Sequence, residues 1–369
     1  MSAMKLEWLG PRTWIADTIF MKDNRAKSSM SNLLLMSGVS FAAALIYRVL
    51  KGPSHSPKKT LDGKKVLITG GSRGLGLALA QQYAQYGAKI FICARKADEL
   101  EEARKKLESL EVEVMTYTCD ITDQQQVHRL VHEVESTFGT IDILINNAGI
   151  MEVGPLEEFD IESFQRVIDI NLVGMIRMTL CMVPRMRQGS RIINITSIGA
   201  AVSVPHMLPY SVSKFGTLGF SLGLDAELAT RGISVTTILP GLMRTGSFVH
   251  AVFHGKAQKE FDWFALGASL PLVSISAQKA VMEIISGGQK RKRFVVLGPQ
   301  AKVIRHLYQI VPESSLSVMR AIAHLLPSSP GDGLHESRTG TGLRKDLPKG
   351  GITRLGDRAG DELNENRIA

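Results

Sequence analysis

The chain has 369 residues, 44% hydrophobic and 21% charged, with 34 Gly and 14 Pro. These values lie near the globular average, which excludes a collagen-like or wholly low-complexity chain and leaves enough apolar mass for a full core. The formal net charge of +9 raises nucleic acid or an anionic membrane surface as partners, and the position of the charges has to decide between them.

Residues 1–30 form an N-terminal segment that includes Trp8 and Trp14. The run LLLMSGVSFAAALIYRVL, Leu33 to Leu50, carries a single charge, Arg48. As a helix it spans roughly 27 Å, slightly under the ~30 Å bilayer core, and Arg48 can snorkel at the boundary. Residues 31–50 therefore read first as an uncleaved single-pass membrane anchor. A secretory signal and an amphipathic or buried helix of a soluble protein compete, the signal weakened by the long segment before the apolar run. Three basic residues lie in 13–32 (Lys22, Arg25, Lys27) and six in 48–67 (Arg48, Lys51, Lys58, Lys59, Lys64, Lys65), so the positive-inside rule places the downstream domain in the cytoplasm.

A Pro/Ser/Lys linker at 51–60 precedes an α/β alternation over 61–300. KVLIT (65–69), KIFIC (89–93), VEVMTYT (112–118), IDILIN (141–146), RIINIT (191–196) and SVTTIL (234–239) are short and rich in Ile, Val and Thr. They read as buried parallel strands. Helical patterns such as 75–87 and 97–110 separate them, which predicts an α/β, doubly wound parallel sheet in a single domain. RFVVLG (293–298) can add an edge strand. Residues 301–327 read as two short amphipathic helices broken at Pro312, normally a core or interface feature, with membrane contact as the second reading. The Gly-rich stretch 328–369 reads as a disordered tail. Cys93, Cys119 and Cys181 match neither a disulfide framework nor a metal-ligand spacing, so a reducing compartment and no metal site are expected.

The chemistry-bearing residues follow the strands. Thr69-Gly70-Gly71-Ser72-Arg73-Gly74-Leu75-Gly76 joins the first strand to a helix. Glycines there let the backbone turn and approach a pyrophosphate, and the helix N-terminus offers free N–H groups and a positive dipole end. Asn146-Asn147-Ala148-Gly149 closes the fourth strand, Asn171 sits in IDINLVG, Ser197 ends IINITS, Tyr210 and Lys214 are four apart, and Pro240-Gly241-Leu-Met-Arg-Thr245 follows the sixth strand. On a helix Tyr210 and Lys214 share one face. An ammonium beside a phenol favours the phenolate, so the tyrosine can serve as general acid or base, and Ser197 can hydrogen-bond a developing oxyanion. Singly, each of these residues has an ordinary structural explanation; their ordered set outweighs it.

The set resembles the short-chain dehydrogenase/reductase family over about residues 60–300, in an NADP-preferring, membrane-anchored form. The resemblance implies a Rossmann fold and a catalytic Asn171, Ser197, Tyr210 and Lys214. Asn171 would hold a water that links Lys214 to solvent. The resemblance also implies cofactor contacts at Gly70, Ser72, Arg73, Gly74, Leu75, Gly76, Asn147, Ala148, Gly149, Tyr210, Lys214, Pro240 and Gly241. Asp120 and Ile121 would lie at the adenine and Thr245 at the nicotinamide carboxamide. The second strand ends in Phe91-Ile92-Cys93-Ala94-Arg95-Lys96, without the acid that usually binds an NAD ribose. Arg95 and Arg73 suit a 2′-phosphate, so NADP(H) is the expected cofactor.

The stretch 241–277 carries Phe248, Val249, Val252, Phe253, Phe261, Trp263, Phe264, Leu266 and Leu270, a variable substrate lid in the family. With the anchor and the amphipathic helices it suggests a lipophilic ketone or alcohol, such as a steroid, long-chain keto-lipid or retinoid. His206, His250 and His254 read as packing or lid residues. Lys290, Arg291, Lys292, Arg293, Lys302 and Arg305 place most of the charge surplus in one stretch. A solvated turn is its commonest explanation and anionic lipid the next; nucleic acid or nuclear targeting comes last, for want of a binding module, so no nucleic-acid partner is expected. A homodimer or homotetramer is expected from the resemblance. Two other functions compete: a soluble or peripheral reductase of small polar carbonyls, and a non-catalytic NADP(H)-binding sensor or scaffold.

Overall fold

The computed structural model describes residues 61–270, 274–329, 337–344 and 354–365. The expected N-terminal segment, anchor and linker at 1–60 lie outside them. In chain order the elements are β1 (Lys65–Thr69), α1 (Gly74–Gln85), β2 (Lys89–Ala94), α2 (Ala97–Glu108), β3 (Val114–Thr118), α3 (Gln124–Phe138), β4 (Ile143–Asn146) and β5 (Glu152–Val153). Next come α4 (Ile161–Ile168), a π-helical turn (Asp169–Val173), α5 (Gly174–Met182), β6 (Arg191–Ile195), α6 (Leu208–Leu228), β7 (Ser234–Pro240), β8 (Leu242–Arg244), β9 (Val252–His254) and α7 (Ala257–Ser269). The last are β10 (Ser274–Ser276), α8 (Ala277–Gln289), β11 (Phe294–Leu297), α9 (Pro299–Ile310), α10 (Pro312–Ala323), β12 (Ser337–Thr339), α11 (Gly340–Arg344) and α12 (Arg354–Glu362).

Seven strands form one parallel sheet in the order β11-β7-β6-β4-β1-β2-β3. The pleat explains why these strands are apolar without alternation. Val66, Ile68, Ile90, Ile92, Ile143 and Ile145 enter one core with α1, α2 and α8. Leu67, Phe91, Cys93, Leu144 and Ile192 enter the other with α3 and α5. Both faces are covered, so the inner strands are apolar on both faces, with buried Thr69, Asn146, Asn194, Thr236 and Thr237 as the polar exceptions. β11 pairs only with β7 at the sheet edge, as the run at 293–298 suggests. β1 pairs with β2 on one side and β4 on the other. The crossovers reverse there, and a crevice opens at the strand ends.

Among the described residues, only the continuous stretch Ile161–Arg185 is long and apolar enough to cross a membrane. Its Val167, Asn171 and Met178 are buried, so core packing accounts for its composition. The two amphipathic helices form as α9 and α10, but Ala301 is their only buried residue; Ile310, Leu316, Val318 and Leu325 are exposed. The three cysteines are free and buried.

Within the stretch expected to be a disordered tail, residues 337–344 and 354–365 instead form elements that pack on the domain. β12 pairs antiparallel with β9, Leu343 of α11 is buried among Phe248, Phe253 and Phe261, and α12 packs on α7. Glycine, which suggested disorder, here permits close backbone contact. A Cβ on Gly340 would stand 2.7 Å from the Phe248 carbonyl oxygen, and one on Gly356 2.7 Å from Ser269 Oγ.

Candidate active site

The Gly-rich loop between β1 and α1 is built by close approach. Gly70 has φ +64°, and a Cβ there would lie 2.9 Å from Ala148 Cα. Gly76 faces the Gly70 carbonyl oxygen so closely that a Cβ would sit 2.1 Å from it. The Asn147 side chain ties the loop to β4 by donating to the carbonyls of Thr69 and Gly70, both at 3.1 Å. Thr69 Oγ1 accepts from the amides of Asn147 (3.0 Å) and Ala148 (3.1 Å). The head of α1 has neither a side-chain cap nor an acid in its first turn, so its dipole end stays positive. Gly76→Ala is expected to lower stability by about 1–3 kcal/mol through overpacking and to weaken dinucleotide binding; denaturant titration and ligand titration measure the two effects.

Tyr210 and Lys214 lie in the first turns of α6, with Lys214 Nζ 5.5 Å from the centre of the Tyr210 ring. Lys214 is buried and donates to the Ile195 carbonyl at 3.2 Å. Burial lowers its pKa to about 8. Burial raises the Tyr210 phenol, while a hydrogen bond with Ser197 pulls it down. In the protein alone the phenol is therefore shifted upward, opposite to what catalysis as a base requires. Ser197 Oγ also accepts from Gly199 N at 3.0 Å, which caps a short 3₁₀ turn.

Asn171 is fully buried on the π-helical turn between α4 and α5, an irregularity common at functional sites. Its amide donates to the Ile150 carbonyl and to Ser213 Oγ, both at 3.0 Å, and its Oδ1 accepts from Ile150 N at 2.7 Å. A Cβ on Gly149 would stand 3.0 Å from Asn171 Oδ1 and 3.7 Å from Lys214 Nζ. Asn171 thus fixes the Ile150 backbone and the Ser213 hydroxyl from outside the cleft.

A cleft of about 530 Å³ runs over these residues. Gly70, Ser72, Arg73, Leu75, Arg95, Asp120, Ile121, Asn147, Ala148, Gly149, Ser197, Tyr210, Lys214, Pro240, Gly241 and Thr245 line it; Gly74, Gly76 and Asn171 do not. Asp120 Oδ1 accepts from the Thr122 amide and hydroxyl, at 2.9 and 2.8 Å, which shapes the end beside Ile121. At the same end Arg73 Nη1 meets both oxygens of Glu99, at 2.8 and 2.9 Å. Ser72 donates to Glu99 at 3.2 Å and Lys96 pairs with it at 3.2 Å. Sequence reasoning missed Glu99, which stands in an acidic first turn of α2 and looks there like an ordinary helix-dipole partner. Positive backbone φ at Gly70, backbone packed against backbone at Gly76 and a cationic corner at Arg73, Arg95 and Lys96 fit a nicotinamide dinucleotide.

Of the aromatic stretch, Phe248, Trp263 and Phe264 line the other end of the cleft. Phe253 and Phe261 are buried within the lid's own core. Much of the apolar density thus packs the lid itself. His206 has a φ of 63° and meets Glu260 at 2.8 Å, and Trp263 Nε1 donates to the same carboxylate at 2.7 Å. This pair ties α7 to the loop before Tyr210. His254 is held by Glu152 at 2.9 Å, and His250 contacts Glu365. These are packing and lid roles.

A parallel sheet with a glycine cradle at its switch point, and with Ser197, Tyr210 and Lys214 around one cleft over the buried Asn171, defines a carbonyl/alcohol oxidoreductase. The family model described as short chain dehydrogenase matches residues 64–252. A "Dehydrogenase/reductase SDR family protein 7-like" of Anopheles gambiae is 33% identical over 278 residues, 73% of this chain and 86% of that protein. A "Putative ketoacyl reductase" of Streptomyces coelicolor is 36% identical over 190 residues, 50% of this chain and 73% of that protein. The structure of L-sorbose reductase from Gluconobacter frateurii complexed with NADPH and L-sorbose matches with a TM-score of 0.57 at 29% identity, covering 64% of this chain and 94% of that one. The chain belongs to the short-chain dehydrogenase/reductase family.

Proposed function

We propose that the protein is an NADP(H)-dependent oxidoreductase that interconverts a lipophilic ketone and its secondary alcohol. The observation that carries the substrate class is the lining beyond Tyr210, where Met207, Leu242, Phe248, Trp263, Phe264 and Ile304 converge. Apolar walls with a few placed polar groups favour an apolar ligand carrying one reactive oxygen. Ser197 donates a hydrogen bond to that oxygen, and Tyr210 gives it a proton in reduction and takes one in oxidation. Lys214 supplies the positive charge behind the phenol, and Asn171 anchors the hydroxyl of Ser213, the residue before it on α6. A bound nicotinamide dinucleotide supplies or accepts the hydride. An NADPH-rich cell favours reduction.

The phosphorylated cofactor is supported by the exposed Arg95 and by Arg73, both in the cleft wall. Arg95→Ala should raise the KM for NADPH by about tenfold or more, a charge-assisted contact being worth about 1.5–3 kcal/mol, and leave that for NADH nearly unchanged. Steady-state kinetics with both cofactors measures it, and equal effects on the two would defeat the NADP(H) preference.

The likeness to the L-sorbose reductase favours a second reading, a small polar carbonyl substrate. NADPH oxidation against a panel of lipophilic and polar ketones separates the two: turnover of polar carbonyls alone defeats the lipophilic reading. A sensor without catalysis would turn over none.

Membrane association through residues 31–50, with the catalytic domain on the cytoplasmic side, is part of the same proposal. Exposed Ile310, Leu316 and Val318, together with the basic run Lys290–Arg293, support contact with an anionic lipid surface, at about 1 kcal/mol per basic residue. Release of the protein by carbonate extraction of membranes would overturn the anchor. A homodimer or homotetramer is supported by Val212, Phe215 and Leu222, exposed along α6, and a monomer in sedimentation would contradict it.

A further inference from the structure

After α12 the chain runs onto the Gly-rich loop. The Leu363 carbonyl accepts from the Gly74 amide at 2.8 Å. Asn364 Nδ2 donates to the Ser72 carbonyl at 3.2 Å, and Lys106 Nζ donates to the Glu362 carbonyl at 3.0 Å. The Glu365 carboxylate is buried, 3.5 Å from Arg73 Nε and 3.0 Å from His250 Nε2. A Cβ on Gly74 would stand 2.1 Å from Glu365 Oε1, and one on Gly246 2.5 Å from Gly360 Cα, so the segment is seated by glycine on both sides. It joins the loop, α2 and the lid into one wall, and Glu365 lines the same cleft as Ser72, Arg73 and Tyr210.

The position is electrostatically specific. The head of α1 carries no acid of its own, and a helix N-terminus attracts an anion. Glu365 brings one there from a part of the chain remote in sequence and places it beside Arg73. A dinucleotide carries its phosphates to the same cationic corner, and like charges at short range in a cleft disfavour each other.

Building on the reading of this cleft as a dinucleotide site, we propose that residues 354–365 form a strap across it and that Glu365 sets dinucleotide affinity by competing with the cofactor's phosphates for Arg73 and the head of α1. Dinucleotide entry displaces the carboxylate, and the strap opens by the hydrogen bonds that Gly74 and Ser72 share with it. Gly74 then has a purpose beyond the turn: it leaves room for the carboxylate.

NADPH titration of the wild-type chain, of Glu365→Gln and of a variant lacking residues 354–369 tests this. For a strap closed about nine-tenths of the time, its removal should lower the NADPH Kd roughly tenfold, with Glu365→Gln shifting it in the same direction. Hydrogen exchange in 354–365 should speed up when NADPH is added to the wild-type chain. An unchanged or raised Kd in Glu365→Gln overturns the proposal, as does slower exchange on NADPH addition, which would make the segment a wall the cofactor needs. Failure of every form to bind NADPH overturns instead the dinucleotide reading on which the proposal rests.

Discussion

Tyr210→Phe is expected to lower kcat by roughly 10²–10⁴-fold, the range for loss of a positioned general acid, while NADPH binding stays close to wild type. The ring packs beside the lid core, and phenylalanine preserves that packing. What disappears is the hydroxyl that Ser197 contacts, and Ser197 keeps its second partner at Gly199 N. Stability should therefore change by no more than about 1 kcal/mol, the net worth of one hydrogen bond. Parallel measurement of kcat, NADPH Kd and denaturant midpoint distinguishes a lost proton donor from a damaged fold. Retained turnover would remove Tyr210 from the chemistry.

Lys214→Met is expected to remove activity and increase stability. Burial lowers the Lys214 pKa from its ordinary 10.5 to about 8, so the folded chain binds this proton less tightly than the unfolded chain does. The sign follows from linkage. Below about pH 8 both states carry the proton and the folded state bears the full penalty. Between about 8 and 10.5 only the unfolded state holds it, so the penalty declines as pH rises. At pH 7 the penalty is about 3 kcal/mol, offset in the variant by the lost bond to Ile195, worth about 1 kcal/mol. A net gain near 2 kcal/mol by chemical denaturation at pH 7 is the expected result, a stability–activity trade. The same group sets a pH dependence: carbonyl reduction by the wild-type protein should fall as pH rises through about 8, because the ammonium behind the phenol is lost there.

The central sheet was legible because burial on both faces leaves an unbroken signature. β1, β2, β4, β6 and β7 each fall on an Ile/Val-rich run, and even the edge strand β11 does. The residues around the cleft were legible for a different reason: Tyr210, Lys214 and Ser197 need fixed strand ends and one helical turn, so their spacing is written locally. Contacts that depend on distant chain segments were not legible. Glu99 looks like a routine N-terminal helix acid, and only the fold brings Arg73 and Ser72 to it. Residues 337–344 and 354–365 look disordered because their glycines read as flexibility, whereas Gly340, Gly356 and Gly360 serve contacts with a lid remote in sequence, at Phe248, Ser269 and Gly246. The lid aromatics were legible as apolar but not as divided, since which of them face the cleft depends on how β9 and α7 pack together. The π-helical turn at Asn171 has no signal in residue type at all.

Transfer of deuterium from NADPH labelled at both nicotinamide C4 positions to a lipophilic ketone shows whether the protein performs the hydride transfer assigned to it. The wild-type protein should give secondary alcohol carrying deuterium at the former carbonyl carbon, and Tyr210→Phe should bind the same cofactor yet form almost none. Alcohol formed without deuterium, no alcohol from any ketone in the wild-type protein, or equal product from the variant would contradict it.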